Sequence, residues 1–206
     1  MVTETRVFLH DKAELRASAP DDAVRSISGH FALFNRFSPV YGRFREKIDP
    51  GFFNDALPNS DVRALFNHNE SAILGRKSAG TLRLAVDEKG LFGEISPVPD
   101  TPTGNEVLQN VRLGNLTGAS FAFNLTPEGG DKWAKAADGV WERTLMHAGE
   151  VFDVSVVTQP FYPETSVAAR AVNSDLERSF TRWVEEHPEE GPELVHELLD
   201  LLSLGG

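Results

Sequence analysis

The sequence predicts a mainly β domain with flanking helices (α+β), built as a strongly bent sheet or barrel and followed by acidic C-terminal helices. Three observations carry this reading. Apolar side chains alternate at period 2 in about seven or eight short segments. Only two short helical patterns interrupt them. The stretch 173–206 then differs sharply in charge and period from everything before it. The expected division is a β-rich body over residues 1–172 and an acidic helical tail over 173–206.

Taken in order, Arg6-Val7-Phe8-Leu9 is a short β-prone run, and Pro20 with Asp21 and Asp22 marks a turn. Val24 to Phe34 reads as a long strand with Ile27, Gly29, Phe31 and Leu33 on one face and Gly29 as a bulge. Phe44 to Ile48 is another strand. Asp49 to Leu57 reads as a short helix, with Asp49 capping and Pro50 at the first helical position. Val62 to Phe66 alternates as a strand and delivers His68 into the polar run Asn69-Glu70-Ser71. Thr81 to Val86 and Leu91 to Ile95 form a hairpin across Asp87-Glu88-Lys89-Gly90.

Thr103 to Leu113 places Val107, Leu108 and Val111 on one helical face, with Thr103 as cap and Gly114 as terminator. Leu116 to Phe123 is a strand, Thr126 to Gly139 a Gly-, Lys- and Asp-rich loop. Trp141 to Met146 and Val151 to Thr158 are the last two strands, and Val167 to Val172 leaves the body. From Ser174, taken as a cap, Leu176, Phe180, Trp183 and Val184 fall at helical spacing. A second stripe runs from Leu194 to Leu202 beyond Gly191-Pro192. Such stripes are expected to pack loosely, or to pair with another copy or with scaffold.

Composition narrows the function classes. The chain of 206 residues carries a net charge of −11, of which residues 173–206 hold −7 from nine acids against two arginines. This balance argues against a nucleic-acid surface. No apolar run approaches the ~20 residues that span a bilayer, so no membrane partner is expected. Cysteine is absent, which removes disulfides and thiolate metal sites and fits a reducing compartment. No histidine pair at metal-ligand spacing, glycine-rich phosphate loop or Gly-x-Ser-x-Gly elbow is present, so no metal or cofactor is expected.

The chemistry centres on Leu116-Thr117-Gly118-Ala119-Ser120-Phe121-Ala122-Phe123. Phe121 and Phe123 claim one strand face, which leaves Ser120 and Ala122 on the other. Gly118 and Ala119 leave room for a carbonyl to approach the hydroxyl. A strand serine is a nucleophile only with a base and an orienting group. His68, at a strand end, is placed to be half exposed and to serve as base; the structural reading is a surface histidine. His10, His30, His147, His187 and His196 have less context. Asp153 lies within Val151-Phe152-Asp153-Val154-Ser155-Val156-Val157, among residues that favour burial, and a buried carboxylate needs a partner. That partner is a histidine or an arginine, unless Asp153 faces outward. Glu150 is the fallback acid. Oxyanion donors are sought in Leu74-Gly75-Arg76 or in the stretch 159–164.

In combination these residues resemble the phage prohead (capsid maturation) serine proteases, relatives in fold of the herpesvirus assembly proteases. The resemblance rests on Val62-Arg63-Ala64-Leu65-Phe66-Asn67-His68, Leu74-Gly75-Arg76, Gly80-Thr81-Leu82, Gly90-Leu91, Gly118-Ala119-Ser120-Phe121-Ala122-Phe123 and Asp153-Val154-Ser155-Val156-Val157-Thr158-Gln159-Pro160, in that order. It spans roughly Gly29 to Arg170. It implies a herpesvirus-protease-like fold and a serine endopeptidase that processes scaffold and/or capsid protein inside the immature capsid, in the host cytoplasm. Ser120 matches the nucleophile and His68 the base. Asp153 stands where the family usually carries glutamate, and Ala122 where it usually carries glycine. The other class of function on the same fold is a catalytically inactive assembly or scaffold protein. Capsid and scaffold proteins are the implied partners, with further copies of the chain.

Overall fold

Among the described residues, alternation in the sequence becomes three open sheets, and none of them closes into a barrel. The structure, a computed structural model, describes residues 3–8, 15–158 and 167–186. The first sheet contains β1 (Glu4–Phe8), β5 (Arg63–Phe66), β6 (Asn69–Arg76), β9 (Gly118–Leu125) and β12 (Ala148–Val157), in the order β1-β9-β12-β5-β6. The second holds β2 (Arg16–Ala17), β3 (Ile27–Leu33), β7 (Leu82–Val86) and β8 (Gly90–Ile95), in the order β2-β3-β8-β7. The third is β10 (Asp131–Lys135), β11 (Trp141–Leu145) and β4 (Phe44–Ile48). The mainly β expectation is met, and of its two forms the sheets take the open one.

Local chemistry fixes several of these elements. At Gly90 a Cβ would stand 1.9 Å from the Ala32 carbonyl oxygen, so only glycine lets β8 pair this closely with β3. The bulge in β3 falls at Phe31 rather than Gly29: His30 pairs with Phe92 and Ala32 with Leu91. Helix α2 (Pro102–Arg112) has its cap two residues earlier than the spacing suggests. Thr101 caps it by accepting from the Gly104 N–H at 3.1 Å, with Pro102 at the first helical position. Residues 50–55 form turns instead of a helix, and Asp49 accepts from the Gly51 N–H within them; only α1 (Ala56–Asn59) is helical. Asn69-Glu70-Ser71 starts β6 rather than a loop.

The main core joins the first and second sheets to α2. Phe52, Phe53, Phe121 and Phe123 form its aromatic centre, with Phe121 and Phe123 stacked at 5.1 Å and Phe53 edge-on to Phe121 at 5.3 Å. A second core lies on the third sheet. There α3 (Val167–Glu186) seats Leu176, Phe180, Trp183 and Val184 against Tyr41, Phe44, Trp133 and Trp141. Phe180 is its hub, 4.7 Å from Trp141, 5.3 Å from Trp133 and 5.4 Å from Phe44.

Three expectations change here. Ser174 lies inside α3 rather than ahead of it, and the boundary read at 172/173 falls within the same helix. The first tail stripe is buried on the body instead of packing loosely. The stretch 126–139, read as a loop, contains β10, whose Trp133 is the side chain that enters the second core. The stripe from Leu194 to Leu202 lies outside the described residues.

Beneath β1 runs a buried ion network that ties these parts together. Arg143 on β11 is fully buried and holds both Glu4 carboxylate oxygens, at 2.7 and 3.0 Å. It also donates to Asp131 at 2.8 Å and to Ser179 of α3 at 3.0 Å. Arg6 bridges Glu4 and Glu46. Burial alone would raise the Glu4 carboxyl, but the Arg143 and Arg6 guanidiniums outweigh it and hold it at about 2, below its ordinary 4.5. Arg143 is pushed up from its ordinary value: burial opposes the charge, and Glu4, Asp131 and Glu46 overcome that. Buried charges of this kind are tolerated because each is paired.

Candidate active site

Strand β9 is buried along its whole length, and the alternation read from sequence holds: Phe121 and Phe123 enter the core. Ser120 sits on the opposite face with no exposed surface. In the antiparallel pairing of β9 with β12, Ser120 stands opposite Ser155 and Ala122 opposite Asp153. This phase depends on a bulge. Val151 pairs with Phe123 and Asp153 with Ala122, so Phe152 is the extra residue on β12. Without it, Val151 and Asp153 would share the core face. The bulge turns Val154 and Val156 inward and swings Asp153 and Ser155 onto the face of Ser120.

His68 arrives from the tip of the β5–β6 hairpin. Phe66 pairs with Asn69, which leaves Asn67-His68 as a two-residue turn. Both have positive φ, 54° and 55°, as a type I′ turn requires. Asn is common at such positions, whereas the second one favours glycine. A histidine there carries backbone strain, and such strain concentrates at functional positions. Hydrogen bonds from both residues dock the tip on the end of β12. The Asn67 N–H donates to the Val156 carbonyl at 3.0 Å, and the Asn67 side-chain oxygen accepts from the Thr158 N–H at 2.9 Å. The His68 N–H donates to Ser155 Oγ at 3.2 Å.

The structure therefore brings the three sequence-chosen side chains into one chain of contacts. His68 Nε2 lies 2.6 Å from Ser120 Oγ, and His68 Nδ1 lies 2.7 Å from Asp153 Oδ1. Asp153 is buried, and the His68 side chain is 24% exposed, so the imidazole is the part of the chain that meets solvent. With the Nδ1 proton given to the carboxylate, Nε2 keeps a lone pair for the serine hydroxyl. Ser120 Oγ has a second neighbour, the Arg6 carbonyl of β1, at 2.8 Å. The hydroxyl has one proton, so it points either to His68 or to Arg6. When the imidazole is doubly protonated, Nε2–H donates to Oγ and the hydroxyl turns to the Arg6 carbonyl. When it is neutral, the hydroxyl turns to Nε2, the arrangement a general base needs.

Other candidates fall elsewhere. Glu150 is exposed and stands opposite Asn124, while Asp153 takes the imidazole. Leu74-Gly75-Arg76 lies on β6, three strands from β9, or roughly 14 Å at ~4.8 Å per strand, too far to serve an oxygen at Ser120. The stretch 159–164 lies outside the described residues, as do His10, His187 and His196. His30 pairs with Asp87 at 2.8 Å, and His147 is exposed. Among the described residues no group of three or more His, Asp or Glu is arranged to hold a metal ion, and no helix is long and apolar enough to cross a membrane. Ser155 was not singled out by sequence. Its signal was present: it lies two residues from Asp153, on the same strand face.

A family model described as caudovirus prohead serine protease matches residues 11–179 of the chain. Among solved structures, the chain is similar to the bacteriophage T4 capsid assembly protease gp21. The two share 11% sequence identity with a TM-score of 0.39, over 77% of this chain and 97% of that one. No curated protein matches.

Proposed function

The chain belongs to the caudovirus prohead serine protease family, and on that premise we propose that it is a serine endopeptidase in which Ser120 attacks, His68 moves the proton and Asp153 orients the imidazole. The observation that carries this reading is the unbroken contact chain from Ser120 Oγ through both ring nitrogens to Asp153. Oγ bonds to the scissile carbonyl carbon while its proton passes to Nε2. The tetrahedral intermediate collapses as Nε2 returns that proton to the leaving amine and the C–N bond breaks. A water then attacks the acyl-serine, again with His68 as base, and the carboxylic acid leaves with Ser120 restored. Asp153 keeps the Nδ1 proton in place and stabilises the imidazolium at each transfer.

Ser120 is closed to solvent, so a peptide carbonyl reaches it only after local opening around β1 or the hairpin tip. The substrates on this reading are scaffold and/or capsid protein inside the prohead. Co-expression with the capsid and scaffold proteins of the same phage tests it, read by intact mass. The wild-type chain is expected to shorten one or both, and Ser120→Ala to leave them whole. Processing that persists in Ser120→Ala, or that stops only on chelation of metal, refutes the assignment. A wild-type chain that folds and leaves both proteins whole favours the inactive assembly protein.

A further inference from the structure

We propose that Ser155 is a fourth, positioning member of this site, which sets the proton arrangement of His68 and anchors the turn that carries it. The proposal rests on the reading of Ser120, His68 and Asp153 given above. Ser155 is fully buried and stands directly opposite Ser120 across β9 and β12. Its Oγ meets three groups: Asp153 Oδ1 at 2.8 Å, the His68 N–H at 3.2 Å and His68 Nδ1 at 3.3 Å.

Proton accounting assigns each contact. The hydroxyl has one proton and two lone pairs. Ionised Asp153 only accepts, so Ser155 donates to it. Toward both groups of His68 the same oxygen is then an acceptor. The contact with Nδ1 is therefore favourable only if Nδ1 carries hydrogen, shared between Asp153 and Ser155. In the neutral ring Nε2 is then left bare and aimed at Ser120. The third contact serves the backbone. His68 sits at φ 55°, and its N–H, turned away from the hairpin ladder, finds its acceptor in Ser155. One hydroxyl thus joins the acid, the base and the strained turn between them. Its hydrogen bonds go to His68 and Asp153 and none goes to Ser120, so it acts through those two.

Ser155→Ala removes one oxygen and introduces no clash. Its steady-state kinetics are measured on a fluorogenic peptide spanning a junction found by the mass assay above, beside Ser120→Ala and Ser155→Thr. We expect kcat to fall about 10- to 100-fold, the span of one lost hydrogen bond to a charged group, with KM changed less than about twofold. Ser155→Thr, which keeps the hydroxyl, should recover most of it. NMR of ¹⁵N-histidine protein supplies a readout that packing alone does not move. The wild type should show protonated Nδ1 and bare Nε2 for His68, and Ser155→Ala should show faster exchange of that proton or a mixture of tautomers. Wild-type kcat in Ser155→Ala overturns the proposal, as does a loss that merely follows melting while the Nδ1–H signal is unchanged. Activity surviving in Ser120→Ala would instead refute the triad itself, so the two failures are told apart.

Discussion

His68 occupies a backbone position that suits glycine, and a pair of variants measures the cost. His68→Ala and His68→Gly both delete the imidazole, so both leave Asp153 and Ser120 without their shared partner. That loss cancels between them. What differs is φ of 55° at the second position of the type I′ turn. A residue with a Cβ is strained there by about 1–2 kcal/mol, and glycine is not. Glycine gives back about 0.5–1 kcal/mol through its greater freedom in the unfolded chain. His68→Gly is therefore expected to be more stable than His68→Ala by about 1 kcal/mol. In a chain of this length that corresponds to a melting temperature about 2–4 °C higher, measured by calorimetry at one pH and salt concentration. Both variants should lose activity by more than about 10⁴-fold. Equal melting temperatures, or a more stable alanine variant, would refute the left-handed turn and the strained delivery of His68 built on it.

Three further outcomes follow from the same structure. Arg143→Met leaves buried Glu4 and Glu46 and half-buried Asp131 without their shared cation, and should destabilise the chain by about 3–5 kcal/mol in denaturant unfolding. The folded Glu4 carboxyl lies below its unfolded value, so its contribution is fully present above about 4.5 and is lost as pH falls toward about 2. Glu4→Gln should flatten the stability-versus-pH curve in that window. Phe180→Ala empties the hub of the second core and should cost about 3–5 kcal/mol, with α3 losing amide protection in hydrogen exchange first.

The serine face was legible because Phe121 and Phe123 claim the core at period 2 and leave Ser120 no choice of side. Asp153 stood out because a carboxylate among valines must have a partner, and its partner is the histidine rather than an arginine. What period alone does not reveal is the phase between strands. The bulge at Phe152 shows only as a skipped beat, Val151 then Val154 and Val156, and it decides which face Asp153 takes. Asn67-His68 did not read as a turn because hairpin signals favour glycine where this chain carries histidine. Strand β10 hid behind charge: Asp131, Lys132 and Lys135 surround the single inward Trp133. Glu4 and Arg143 are 139 residues apart and each resembles an ordinary surface charge until the fold buries both. The stripe of Leu176, Phe180 and Trp183 was visible as helical, but only the third sheet shows what covers it.

The central claim, that Ser120 is made nucleophilic by His68, is tested most directly by covalent labelling. The protein is treated with a fluorophosphonate under conditions in which it processes its substrate, then digested and mapped by mass. The account predicts one modified residue, Ser120, with labelling lost in His68→Ala and retained at a reduced rate in Asp153→Asn. Substrate processing by a chain whose label falls on another residue, or whose Ser120 reacts equally well without His68, would contradict it.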